Sequence, residues 1–296
     1  MNDAHRYADQ DLVDYFERQL TACKSSDQES GPKSTLPMTL ATVAALEEVA
    51  KGARPAIRRS LLTTACDAAE FLGWLYRDTA MNDVAAYWRD RSIEWAQVCG
   101  DAQRQGYLLL KKSQAAWDDR DGLRMLTLAE AADGGPWDLP PRVRAEVMQQ
   151  QARGHAMLGD THAVVHDKLA QAEECLAHTE STALAAHYDI RLFRIQEAIC
   201  YKESGLHGRA IETFDQWLAP EHMAKRDYGY FLAIKASTRA SAHDPDRAAE
   251  DGLTSLAVAR ATHSHRTARE VLRLAEDLRP WADRSSVREL AAAISL

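Results

Sequence analysis

Five small residues, Gly73, Ser113, Ala152, Ala198 and Ala236, recur along the chain at separations of 40, 39, 46 and 38 residues. Each stands in the middle of a stretch that otherwise reads as helix. Gly73 sits in "EFLGWLYRD", where a mid-helix glycine costs roughly 1 kcal/mol against alanine. Tyr76 follows three residues later, and Ala85 nine residues after the tyrosine; Ala198, Tyr201 and Ala210 repeat that spacing, with Phe214 four further on. A small residue at so fixed a place lets a second helix lie close against the first, and Ala85 is expected to fill the facing position. A recurrence near 40 residues therefore points to a row of helix pairs, each burying its apolar stripe on its neighbours.

The rest of the chain agrees. Almost every long stretch is rich in Ala, Leu, Glu, Arg and Gln, the good helix formers, while two-residue alternation and Asn-Gly hairpin turns are missing. The nine prolines sit near apparent helix ends, where proline is tolerated. The pattern predicts helices over 10–24, 35–51, 56–78, 82–99, 102–118, 121–133, 140–158, 161–177, 181–204, 207–218, 225–242, 245–262 and 265–278, with a short last helix from 285. The expected fold is all-α, a right-handed α-solenoid of helix hairpins. Its expected parts are an N-terminal helical cap over 1–55, five helix pairs over 56–262, and capping helices over 263–296.

The order leucine, glycine, x-x-tyrosine, then alanine-x-x-x-phenylalanine resembles the tetratricopeptide repeat. Degenerate copies lie over "SQAAWDDRDGLRML", "ARGHAMLGDTHAVV" and "ASTRASAHDPDRAAE". The segments "DLVDYFERQLTACKSSDQESGP", "RRSLLTTACDAAEFLGWLYRDTAMNDVAAYWRDRSIEWAQVCGD", "GYLLLKKSQAAWDDRD" and "RLAEDLRPWADRSSVREL" resemble the C-terminal region of actinobacterial transcription regulators. In that family a helix-turn-helix of the xenobiotic-response-element type precedes a tetratricopeptide-like sensor. The resemblance runs over essentially all of the chain and implies a part in transcriptional regulation. No helix-turn-helix is legible before Asp11, so this chain by itself is not expected to bind nucleic acid directly.

Charge points the same way. The formal net charge is -8, and duplex binding needs a basic face to neutralise phosphates. A local basic run, Arg260, Arg266, Arg269 and Arg273, is expected to be a solvated helix face. The opening "MNDAHRYADQDL" mixes charges without an apolar core and does not resemble a signal peptide. The longest uncharged run, Ser34 to Leu46, is too short to span a bilayer. Five scattered cysteines without a CxxC suggest buried, reduced thiols and a cytoplasmic protein.

No motif for chemistry stands out. A Gly-rich phosphate loop, a GxSxG elbow and an HExxH are all missing. His162 and His166 stand four apart with His155 before them; a metal would need a third ligand in register, for which Asp160 and Asp167 are available, but surface or capping histidines are the expected reading. His263 and His265, two apart, point away from each other on a helix, and Glu173 and Glu174 are ordinary surface charge. No cofactor, no metal and no enzymatic activity are expected.

The first helix of each pair supplies the concave wall of such a superhelix. Setting the register by the small residues turns Glu70, Trp74 and Arg77 inward, then Tyr107, Gln114 and Trp117, then Gln149 and Arg153, then Ile195 and Lys202, then Tyr230. Aromatic faces beside long polar donors suit a peptide with a free carboxylate or a small acidic molecule. The expected ligand-binding residues are thus Trp74, Arg77, Tyr107, Gln114, Trp117, Gln149, Arg153, Lys202 and Tyr230. Trp74 and Trp117 also have a plainer use, packing between repeats. The function expected is a non-enzymatic regulatory sensor for a peptide or small-molecule ligand, with homodimerisation as one mode of response. The alternative is a constitutive adaptor that holds a partner protein in the same groove without a small ligand.

Overall fold

The computed structural model describes residues 8–177 and 184–295. Among them are 14 α-helices and no strand. In chain order these are α1 (Gln10–Ser30), α2 (Pro32–Gly52), α3 (Pro55–Asp78), α4 (Asn82–Cys99), α5 (Ala102–Ala116), α6 (Gly122–Gly134) and α7 (Pro141–Leu158). They continue with α8 (His162–Ala177), α9 (Ile190–Glu203), α10 (His207–Trp217), α11 (Lys225–Ser241), α12 (Pro245–Thr262), α13 (His265–Asp277) and α14 (Ser285–Ile294).

Short polar side chains set where the helices begin. Asp9, Asp101, Asp121, Asp189, Asp244 and Ser264 each accept a hydrogen bond from the backbone N–H three residues on, at 2.8–3.5 Å, filling donors that a helix start leaves open. Prolines occupy the first turn of α2, α3, α7 and α12, where a missing N–H costs nothing. Three boundaries differ from expectation by three residues or more. α1 runs on to Ser30 and turns only at Gly31, so α2 starts at Pro32 and encloses Pro37. α9 starts at Ile190 because Asp189 caps it; of the expected start at 181, residues 181–183 lie outside the described residues.

Consecutive helices pack as pairs, α1 with α2, α3 with α4, and so on to α11 with α12, while α14 lies mainly on α12 and touches α13. Gly73 is where α3 and α4 approach: a Cβ there would lie 2.9 Å from Arg89 Cγ and 3.3 Å from the Ala85 carbonyl. The same packing recurs 163 residues later, in α11–α12. Ala236 takes the place of Gly73, Ala248 that of Ala85, and all four are buried. Ser92 Oγ donates to the Cys66 carbonyl at 2.9 Å, and Ser255 Oγ donates to the Gly229 carbonyl at 2.7 Å. The buried apolar residues form four clusters, from Val13–Leu108 to Ala233–Leu290, with the middle two interleaved along the chain.

The odd-numbered helices also touch one another, α1 with α3, α5 with α7, α7 with α9, α9 with α11, and α11 with α13. The row then closes. α13 packs on α3, and α1 packs on α11. Asp27 of α1 takes a 2.6 Å ion pair from Arg226 of α11, while Asp78 of α3 accepts from Ser264 Oγ at 2.8 Å. Gly31 makes this junction possible. Its φ is +77°, and a Cβ would fall 2.2 Å from the Thr262 carbonyl, so no other residue fits. The segments expected as caps each pack on a distant helix of the row, α1 on α11 and α13 on α3.

Candidate functional site

The closure gathers arginines around a 3-10 turn, Trp117–Asp119, at the end of α5. Asp118, 4% exposed, takes a two-pronged pair from Arg77 of α3, at 2.5 and 2.9 Å, and a third contact from Arg269 of α13 at 3.2 Å. Its backbone carbonyl accepts from Arg273 at 2.6 Å. Glu270, one helical turn along α13, pairs with Arg273 at 2.7 Å and with Arg120 at 2.6 Å. Burial would raise the Asp118 carboxyl, but Arg77, with Arg266 and Arg269, outweighs it and holds the group below its ordinary value. Four guanidinium groups (Arg77, Arg120, Arg269, Arg273) thus surround two carboxylates, and a fifth, Arg153, lies over the neighbouring Trp117 ring.

Arg153 is the exceptional member. It extends from α7, is 5% exposed and lies 4.9 Å from the Trp117 ring, with Arg120 at 3.7 Å from the same ring. Its Nη2 donates to the Gln196 side-chain oxygen, but Nε is buried without an acceptor, and no described carboxylate pairs with it. Burial lowers its pKa despite Cys200, Tyr230 and Glu203 nearby. An uncompensated buried cation costs several kcal/mol. Further buried donors lack acceptors at Trp117 Nε1 and at Nε of Arg226, Arg266 and Arg269.

Around Arg153, α7 is polar where a helix this buried is normally apolar. Gln149, Gln150 and Gln151 are all 2% exposed or less. Gln150 donates to Gln149 at 2.7 Å, and Gln149 donates to Cys200 Sγ at 3.7 Å. Glu146 accepts from Gln114 at 2.5 Å and lies 3.7 Å from Lys111. Burial pushes its carboxyl up, but Lys111, His187 and the hydrogen bonds from His187 and Gln114 prevail and hold it at about 2.

Most residues expected to face inward belong to this one network. Trp74 is half-buried under Arg266, Arg226 and Arg77, at 4.4, 5.3 and 5.8 Å from its ring. Tyr230 carries Arg266 at 3.8 Å. Gln114 joins Arg77, through its carbonyl, to Glu146. Tyr107 lies beside it, with Lys111 4.7 Å from its ring. Ile195 is buried apolar core, and Glu70 is half-buried. Lys202 stands apart, half-buried and paired with its neighbour Glu203 at 3.0 Å. Trp117 is 1% exposed, and guanidinium groups already lie over its ring. It braces the arginines from behind and offers no free stacking face.

Several members of the network carry no signal at expected inward positions: Asp118, Arg120, Glu146, Gln150 and the α13 arginines. The run expected to be a solvated face is turned inward in part. Arg266 is 6% exposed, whereas Arg260 is exposed and donates to the Ala293 carbonyl. The reason is the closure, which sets α13 against α3 and the 117–119 turn. Only the run of three glutamines in α7 could have flagged the polar core.

Elsewhere, a cleft of about 290 Å³ lies between α8 and the α9–α10 junction, lined in part by His162, His166, Tyr201 and Arg209. His162 Nε2 lies 3.1 Å from the Ser204 carbonyl, and His155 pairs with Asp160 at 2.8 Å. Among the described residues, no group of three or more His, Cys, Asp or Glu is placed to hold a metal. All five cysteines are free, and burial pushes the Cys66 thiol to about 12 and Cys200 to about 11. No described helix is long and apolar enough to cross a membrane. No protein-family model matches the chain, and no curated protein matches it.

Proposed function

We propose that this chain is a non-enzymatic regulatory sensor, a tetratricopeptide-like α-solenoid that takes a small-molecule or peptide ligand on its inward face and acts in transcriptional regulation. The solenoid reading is supported by the recurrence of the Gly73–Ala85–Ser92 packing at Ala236–Ala248–Ser255 and by the touching odd-numbered helices. Regulation rests on the resemblance to actinobacterial sensors. The net charge of -8 argues against direct nucleic-acid binding by this chain.

One observation carries the ligand reading. Arg153 is a buried guanidinium without a carboxylate, held against Trp117 beside further donors without acceptors. Buried polar groups are normally satisfied, and an unsatisfied set is retained where something else completes it. A thermal-shift screen of small molecules and short peptides tests this. At least one class should raise the melting temperature of the wild type, as a ligand specific to the folded state must, and should act far less on Arg153→Met. If no class shifts the wild type, the sensor reading fails.

A further inference from the structure

Five buried donors of the inward face lack a hydrogen-bond acceptor, four of them on arginines, beside three acceptors without a donor, at Asp78, Glu146 and Gln150. Arg153, Arg226, Arg266 and Arg269 each keep a buried Nε–H without a hydrogen-bond acceptor, although carboxylates pair with the last three. At the 117–120 turn, Arg77, Arg120, Arg269 and Arg273 share only Asp118 and Glu270, and Arg153 lies over Trp117 with no carboxylate. This local surplus stands inside a chain of net charge -8. It is also reachable. Arg269, Arg273 and Arg120 remain 27%, 33% and 32% exposed, while Asp118 and Glu270 beneath them are 4% and 5% exposed. The carboxylates are covered and the guanidinium groups face out.

We propose that Arg120, Arg269 and Arg273, with Arg153 behind them, bind a small polyanion, either a phosphorylated or a polycarboxylate molecule; this rests on the sensor reading and names its ligand class. Guanidinium groups present paired donors that match phosphate and carboxylate oxygens. Three of them on two elements need several anionic oxygens, more than one monocarboxylate offers. The site also explains how a ligand would be felt. Arg120 follows α5, whereas Arg269 and Arg273 lie about 150 residues further along, on the helix that closes the row. A polyanion bridging them adds a tie across that contact, beside the Arg120–Glu270 and Arg269–Asp118 pairs, and tightens the closure.

Titration calorimetry of the full chain with pyrophosphate and with citrate tests this and separates phosphate from polycarboxylate chemistry. The expected result is saturable one-to-one binding of at least one of them. Arg269→Gln/Arg273→Gln should weaken it at least tenfold, and the surface pair Arg279→Gln/Arg284→Gln should leave it unchanged. Because the α13 double variant loses ion pairs, its helicity is checked by circular dichroism. Arg120→Gln, on a different element, should weaken binding in the same direction. Binding of neither anion, or equal binding by the α13 and surface variants, overturns the proposal. A neutral ligand that stabilises the wild type while neither anion binds overturns this inference and leaves the sensor reading standing. Failure of every ligand class removes both.

Discussion

At the scale of single residues, Gly73 and Trp117 show what one side chain decides. Gly73→Leu would place its first carbon 2.9 Å from Arg89 Cγ and the rest into α4. Overpacking of this kind costs typically about 1–3 kcal/mol, so the melting temperature should fall; an unchanged melt would remove the close-approach account. Trp117→Ala deletes one of the largest fully buried side chains and should cost roughly 3–5 kcal/mol, measured by denaturant unfolding. A loss under about 1 kcal/mol would show that the ring is not packed as described. Gly73 was legible because its spacing to Tyr76 and Ala85 recurs. The burial of Trp117 was not, because an inward aromatic can serve a groove or a core, and only the guanidinium groups over its ring decide between them.

At the scale of elements, α7 holds charge where apolar packing is the rule, and its acid response follows. Glu146 titrates at about 2 when folded, below the ordinary 4.5, with Lys111 and His187 overcoming burial. A depressed carboxyl stabilises the fold above its unfolded value and loses that contribution as pH falls through the folded one. The wild type should therefore exceed Glu146→Gln in stability at neutral pH, by up to about 3 kcal/mol. The gap should shrink between pH 4.5 and 2 in parallel urea titrations. A gap independent of pH would show that folding does not depress the Glu146 carboxyl. Helix positions were largely readable, since caps such as Asp101 and Asp121 are local signals. The orientation of α13 was not. Its arginines at 266, 269 and 273 form a pattern equally fit for solvent, and a partner 150 residues away turns it inward.

At the scale of the whole molecule, the two ends meet, and that contact determines what the interior contains. Asp27 with Arg226, Asp78 with Ser264, and Gly31 against Thr262 join α1 and α3 to α11 and the α12–α13 junction. The repeat spacing made a row of helix pairs legible, but closure depends on the summed twist of many pairs, which no local pattern records. The candidate site follows the same division. Trp74, Arg77, Gln114, Arg153 and Tyr230 were expected to face inward, and they lie in one network, while Arg120, Arg269 and Arg273 enter it only because the row closes. A sensor whose arginine cluster outnumbers its carboxylates in such a closed row should carry its ligand through gentle purification. A native mass spectrum of the full chain purified from its own host measures this directly. The account predicts one small anionic adduct per chain, released on denaturation and absent from Arg269→Gln/Arg273→Gln. The bare chain mass, or a stable complex with a partner protein and no small adduct, would contradict it.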